Sequence, residues 1–368
     1  MATTRNYRDR KLCTLISRKI GDVASTLGHV KIMNFCGTHE HTITYYGIRS
    51  LVPENVELIP GPGCPVCVAD TADIMEAIKL SIAENTMVVT FGDIVRVPAG
   101  DLSLWKARAR GGRVRVIYSP EDALKIARET DKNVVFFAVG FETTAPAIAA
   151  TLTLDPPSNY YMLTSVRLTP PVMKALLDMG EVRIDGIIAP GHVSTIIGYN
   201  SWGFVAERGI PVVTAGFEPA DVLMAILMIL RQIAEGKPRN VNEYVRSVTP
   251  EGNVKAKKLM YQVFKVEDAR WRGIGVVKES GLYLKDKYSD YDARLQFDID
   301  IEEPPGNPPG CLCHKVVMGS AYPTDCKLFG KACTPSRPYG PCMVSVEGAC
   351  NIWFRYGPQA PRAFLSIV

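Results

Sequence analysis

Eight short apolar runs, separated by helix-patterned segments, constrain the fold of this chain more than any other feature. They cover residues 30–35, 56–59, 87–91, 114–118, 134–139, 161–165, 186–189 and 211–214. The runs are predominantly apolar, as strands buried on both faces are. Between them, residues 71–85, 121–130, 145–154, 171–179 and 219–235 carry helical patterns, and a leading helix is expected over roughly 7–27. Such alternation predicts an α/β fold built on parallel sheets. The same order of signals occurs twice. First come Cys36-Gly37-Thr38-His39-Glu40, the turn Pro60-Gly61, and Val88-Val89-Thr90-Phe91-Gly92. Then come Gly140-Phe141-Glu142-Thr143-Thr144, Pro190-Gly191-His192, and Val212-Val213-Thr214-Ala215-Gly216. The expectation is an N-terminal helical segment (1–27) followed by two similar parallel-sheet α/β domains, 28–120 and 121–245. Their glycine-rich turns fall where parallel strands end and ligands bind.

Past residue 241 the character changes. A stiff loop, Glu302-Glu303-Pro304-Pro305-Gly306-Asn307-Pro308-Pro309-Gly310, precedes six cysteines within forty residues: Cys311, Cys313, Cys326, Cys333, Cys342 and Cys350. A smaller, irregular third domain is expected over 246–368. Residues 1–10 have no apolar core of a signal peptide, and the longest apolar run, 222–230, is far short of a membrane span. The expectation is a cytoplasmic protein, where the ten cysteines serve as metal ligands or redox groups, not structural disulfides. A net charge of +4 is too mild for a nucleic-acid binder. A segment this poor in core needs a staple. Structural zinc favours paired C-x-x-C hooks, which the C-terminal segment lacks. A [4Fe–4S] cluster tolerates irregular spacing and is the better fit, with two cysteines left over.

Two further thiol groups follow strands. Cys64-Pro65-Val66-Cys67 precedes the helix expected at Thr71, a position suited to a redox dithiol; half of a zinc site is the alternative. Cys36 stands among His39, Glu40 and His41, and His192 follows the Pro190-Gly191 turn. A thiol crowded by imidazoles and a carboxylate suits metal or acid–base chemistry. A cysteine hydrolase with Cys36 as nucleophile competes, but it leaves the other thiols without a purpose. Gly61-Pro62-Gly63 is no dinucleotide loop, because the third glycine is replaced by Val66.

Taken together, these motifs resemble the HypD family of [NiFe]-hydrogenase maturation factors. The resemblance rests on Cys36-Gly37-Thr38-His39-Glu40-His41, Gly61-Pro62-Gly63-Cys64-Pro65-Val66-Cys67, Phe91-Gly92-Asp93 with Arg96-Val97-Pro98, Gly140-Phe141-Glu142-Thr143-Thr144 and Pro190-Gly191-His192-Val193. It continues through Leu328-Phe329-Gly330, Cys333-Thr334-Pro335, Met343-Val344-Ser345 and Glu347-Gly348-Ala349-Cys350. It implies a scaffold on which an Fe(CN)2CO group is assembled, with a HypC-type chaperone and a HypE-type cyanide donor as partners. It also implies a [4Fe–4S] cluster on Cys311, Cys326, Cys333 and Cys350, leaving Cys313 and Cys342 as extras. On this view Cys36 anchors the transient iron, His39, Glu40, His41 and His192 orient ligands or move protons, and Cys64 and Cys67 cycle between dithiol and disulfide. An iron–sulfur-dependent thiol/disulfide reductase is the alternative function.

Overall fold

The computed structural model describes residues 6–299, 301 and 303–358. Residues 1–5 of the leading segment, Asp300, Glu302 of the stiff loop and the tail 359–368 lie outside the described residues. The strands are β1 (Val30–Asn34), β2 (Val56–Pro60), β3 (Thr86–Thr90), β4 (Val114–Val116), β5 (Asn133–Gly140), β6 (Tyr160–Arg167), β7 (Gly186–Pro190), β8 (Val212–Ala215), β9 (Asn240–Asn242), β10 (Phe264–Trp271) and β11 (Gly275–Leu284). All eight apolar runs are strands. They divide between two sheets. The first has the order β2-β1-β7-β8-β9 and is parallel throughout. The second has the order β10-β11-β6-β5-β3-β4, parallel from β4 to β6 and antiparallel at β11 and β10.

The sheets are not contiguous in the chain. After β2 the chain leaves the first sheet, builds β3 to β6 of the second, and returns with β7. A division at residue 120 therefore cuts through the second sheet. The physical reason lies in β1, four of whose five residues are buried. β2 covers one flank of β1, and β7 covers the other, so that β1 is interior to the sheet. Residues 246 onward also begin differently from the expectation. The Val254–Val263 helix leads into the β10–β11 hairpin, which extends the second sheet against β6. The exposed residues Glu267, Asp268 and Arg270 charge its outer strand, which blocks further strand pairing.

Helices cover the sheets. The Pro219–Glu235 helix buries the 222–230 run between the first sheet and the Arg10–Ala24 helix. Among the described residues no helix is long and apolar enough to cross a membrane. The cysteine-rich segment forms only short helices, Cys313–Val317, Pro341–Val344 and Ala349–Tyr356. It lies where strands of both sheets end and is tied to each. Asp93, after β3, accepts from Ser345 Oγ at 3.1 Å, and Arg96 donates to the Val344 carbonyl at 3.2 Å. Trp353 Nε1 donates to Glu40, after β1, at 2.6 Å.

Candidate functional site

Parallel strands in the first sheet bring their carboxyl ends to one edge. Cys36 follows β1, Gly61 to Cys64 follow β2, His192 follows β7 and Phe217 follows β8. The chain winds from β1 outward to β2 and from β7 outward to β8, so the β1/β7 boundary is the switch point where such sheets bind ligands. Cys36 stands there at the start of the Gly37–Tyr45 helix.

The loop after β2 folds back onto Cys36. Gly37 N–H donates to the Gly63 carbonyl at 3.2 Å. Cys64 and Cys67 form a disulfide, with Cα atoms 5.2 Å apart, across the four-residue helix Pro65–Val68. The sequence led us to expect this pair at the mouth of the longer helix at Thr71. Ala69 and Asp70 separate the two helices instead. Cys36, Cys64, Cys67, Asn34, Glu40, Glu347 and Cys342 together line a narrow crevice with about 20 Å³ of free volume. The dithiol, the lone thiol and one C-terminal thiol thus open on the same space. Cys342, one of the cysteines the spacing leaves over, and Glu347 join this site from some 280–310 residues away in sequence. The only sequence signal for Glu347 is its place in Glu347-Gly348-Ala349-Cys350.

Burial pushes the Cys36 thiol up to about 11, reinforced by the Glu347 carboxylate, although the His39 and Thr38 N–H groups favour thiolate. A metal arriving at Cys36 must displace a proton. At pH 8 a thiol of this acidity holds roughly 200-fold less thiolate than a free cysteine. Iodoacetamide labelling of Cys36 in the metal-free protein should therefore be slow near neutrality and accelerate tenfold per pH unit up to about 11. A labelling curve levelling near pH 8.5 would refute this.

The four acid–base candidates prove unequal. His39 is fully buried, and its Nε2–H donates to the Ala215 and Gly216 carbonyls at 3.2 and 2.9 Å. Burial lowers its proton affinity to about 4, so the ring is neutral and pins the Gly37–Tyr45 helix to the end of β8. Its Nδ1 is buried without a partner. Glu40 accepts from Asn34, Thr44, Arg49 and Trp353, a structural hub at the crevice wall. His41 stacks on Tyr45, and His192 stacks on Phe217 at 3.8 Å. Burial lowers the proton affinity of both. Among the crevice-lining residues there is no histidine, so the structure does not place His39, His41 or His192 with Cys36 on its wall.

The C-terminal cysteines are all buried. Cys313 lies at their centre: its side chain is the main influence on the thiols of Cys311 and Cys350, which it raises, and of Cys342, which it lowers. The two cysteines the spacing left over are thus inside the group. Cys326 and Cys333 lie at its side. Cys326 Sγ faces the Gly310 carbonyl at 3.6 Å, and Cys333 Sγ accepts from Tyr339 N–H at 3.4 Å. No group of three or more His, Cys, Asp or Glu side chains among the described residues is gathered as a metal site. What fits a thiolate-bound cluster is the donor set itself: six buried soft donors. Beside them is a buried cation, Arg272, with an unpaired N–H.

Comparison with known proteins bears on this arrangement directly. The family model for HypD, described as "Hydrogenase formation hypA family", matches residues 11–357. A putative hydrogenase expression/formation protein of Methanocaldococcus jannaschii is 47% identical over 95% of this chain and 99% of its own length. The hydrogenase maturation factor HypD of Azotobacter vinelandii is 42% identical over 96% of both chains. The chain belongs to the HypD family. Another relative, the hydrogenase maturation factor HypD of Cupriavidus necator, is 42% identical over 95% of this chain and 96% of its own. The span matching the HypD model includes Cys36, the Cys64–Cys67 pair and all six C-terminal cysteines.

Proposed function

We propose that this HypD-family protein is a hydrogenase maturation factor that assembles the Fe(CN)2CO group, holding iron as cargo on Cys36 and handling electrons through thiols. One observation carries the reading: Cys36, the Cys64–Cys67 pair and Cys342 share one crevice. A low-spin iron bearing cyanide and CO suits a soft thiolate anchor. Cys36 provides one, partly buried at the crevice, so that a thiolate from a HypC-type chaperone completes the grip. Glu347 lies close enough to influence the Cys36 thiol and is itself raised by burial, which makes it a competent acceptor for the proton that iron displaces. A HypE-type partner delivers cyanide at the same edge.

The Cys64–Cys67 disulfide takes two electrons and two protons to become a dithiol, and returns them on closing. Cys342 connects this pair to the C-terminal thiols, and the Pro341–Val344 helix packs on Pro65–Val68. A [4Fe–4S] cluster held by Cys311, Cys326, Cys333 and Cys350 would supply single electrons there. Cys342, which lines the crevice with the pair, would stand between cluster and dithiol. A reductase acting on other proteins would need no iron-anchoring thiol, whereas Cys36 lies at the sheet's switch point.

Protein purified without oxygen should contain about four iron and four sulfide per chain, with a broad thiolate-to-iron band that bleaches on reduction. Serine at Cys64 and Cys67 together should leave that content unchanged yet abolish hydrogenase maturation. Zinc without sulfide would overturn the cluster. Undiminished maturation by the double variant would overturn the dithiol's role.

A further inference from the structure

Arg272 occupies the tip of the β10–β11 hairpin, where the second sheet reaches the sulfur-rich segment. Its backbone N–H donates to the Val68 carbonyl at 2.9 Å, one residue beyond Cys67. Its Nη1 donates to the Pro98 carbonyl at 2.9 Å and its Nε to Asn307 Oδ1 at 3.2 Å. Three separate segments thus hold this residue, two of them through its guanidinium, and it is only 6% exposed. Neither side-chain acceptor bears a negative charge. Nη2 is buried with no hydrogen-bond partner. Cys313, Cys311 and Cys342 are its electrostatic neighbours, ahead of Asp70.

A buried cation with an idle donor is costly unless something anionic faces it. A guanidinium kept for shape alone would have its N–H groups spent on carbonyls. Here Nη1 and Nε are spent and Nη2 is left free, while the next residue in the tip, Gly273, packs against His314, the neighbour of Cys313. We infer that Arg272 is the counter-cation of the C-terminal sulfur centre, a positioning residue that supplies an N–H and a positive charge to its sulfurs. Hydrogen bonds to sulfur, net charge and burial set the potential of such centres. The positive charge favours the reduced, more negative form. This inference rests on the reading of Cys311, Cys313 and Cys342 as part of a redox-active centre.

The test compares wild type with Arg272→Gln and Arg272→Lys, after thermal melting shows which variants fold. In iron- and sulfide-loaded protein, an optical redox titration should show the glutamine variant about tenfold less reduced at a fixed poise. That corresponds to about 60 mV lower for one electron. Lysine should stay near wild type. An unchanged glutamine variant, or equal shifts in both, overturns the inference. If wild type takes up neither iron nor sulfide, the cluster reading fails, and metal-free protein decides the role of Arg272. Equilibration with glutathione then converts two C-terminal thiols to one disulfide. Glutathione disulfide takes the two electrons and two protons and becomes two glutathione molecules. The glutamine variant should hold about tenfold less dithiol relative to disulfide, and lysine should not; equal ratios overturn the inference. Should glutamine fail to fold, a folded lysine variant near wild type upholds it. Unfolding of both makes Arg272 a packing residue and overturns it.

Discussion

Alanine at Glu40 is expected to destabilise the protein by about 3–5 kcal/mol, the cost of breaking a buried ion pair from one side. The carboxylate is 1% exposed and accepts from Asn34 Nδ2 at 2.9 Å, Thr44 Oγ1 at 3.0 Å, Arg49 Nη2 at 3.0 Å and Trp353 Nε1 at 2.6 Å. Its removal leaves Arg49 without its counter-charge and strands the indole N–H of the Ala349–Tyr356 helix. Trp353 also lies under the Arg49 guanidinium, 4.9 Å from it, so both contacts loosen together. The C-terminal segment should then detach first. Chemical denaturation gives the stability loss, and limited proteolysis should cut near residues 340–350 before the sheets are attacked. A loss under about 1 kcal/mol, the range of a surface pair, would return Glu40 to the role of a free acid–base group at the crevice.

Alanine at Gly63 should produce the larger loss of function. A methyl group there would fall on the Cys36 backbone and lie 2.7 Å from the Phe35 carbonyl carbon. Phe35 N–H is bonded to the Ile188 carbonyl at 3.0 Å, so β1 cannot yield. The loop carrying Cys64 must move instead. Overpacking of this kind costs about 1–3 kcal/mol in stability. A displacement of about 1 Å between cooperating groups costs about 100-fold in rate. Hydrogenase maturation in cells relying on this chain should fall by about that factor while most of the protein stays folded. Gly21→Ala is the control: nothing lies within 4 Å of the added carbon, so maturation should be unchanged. Full activity of Gly63→Ala would show that Cys36 and the Cys64–Cys67 pair work independently.

Eight of the eleven strands among the described residues were legible because they are apolar runs set off by glycine- or proline-containing turns. Their partners were not, since pairing between β1 and β7 joins residues about 155 positions apart. The ordered repeat of motifs suggested two contiguous domains. Parallel strands require long crossovers, and a crossover here includes most of another sheet. The β10–β11 hairpin escaped notice because its exposed face is charged and it carries no continuous apolar signal.

The site divides in the same way. Spacing marked Cys36, Cys64, Cys67 and the C-terminal cysteines as chemically special, since soft thiols in such patterns have few structural uses. It could not separate working histidines from structural ones. His39 and His192 both belong to glycine-flanked strand ends, yet only burial and two carbonyl acceptors show that His39 is a neutral pin. Nor could spacing show that Cys313 and Cys342 sit within the thiol group, or that Arg272 is buried with an unpaired N–H at the hairpin tip. Local pattern thus determined the fold class and eight of the eleven described strands, and the motifs carried the resemblance to the HypD family. Tertiary structure alone decided which thiols share a crevice, which acids and histidines are spent on packing, and where a buried charge points. Local sequence encodes periodicity and turn chemistry, whereas proximity and burial arise only when segments hundreds of residues apart close on one another.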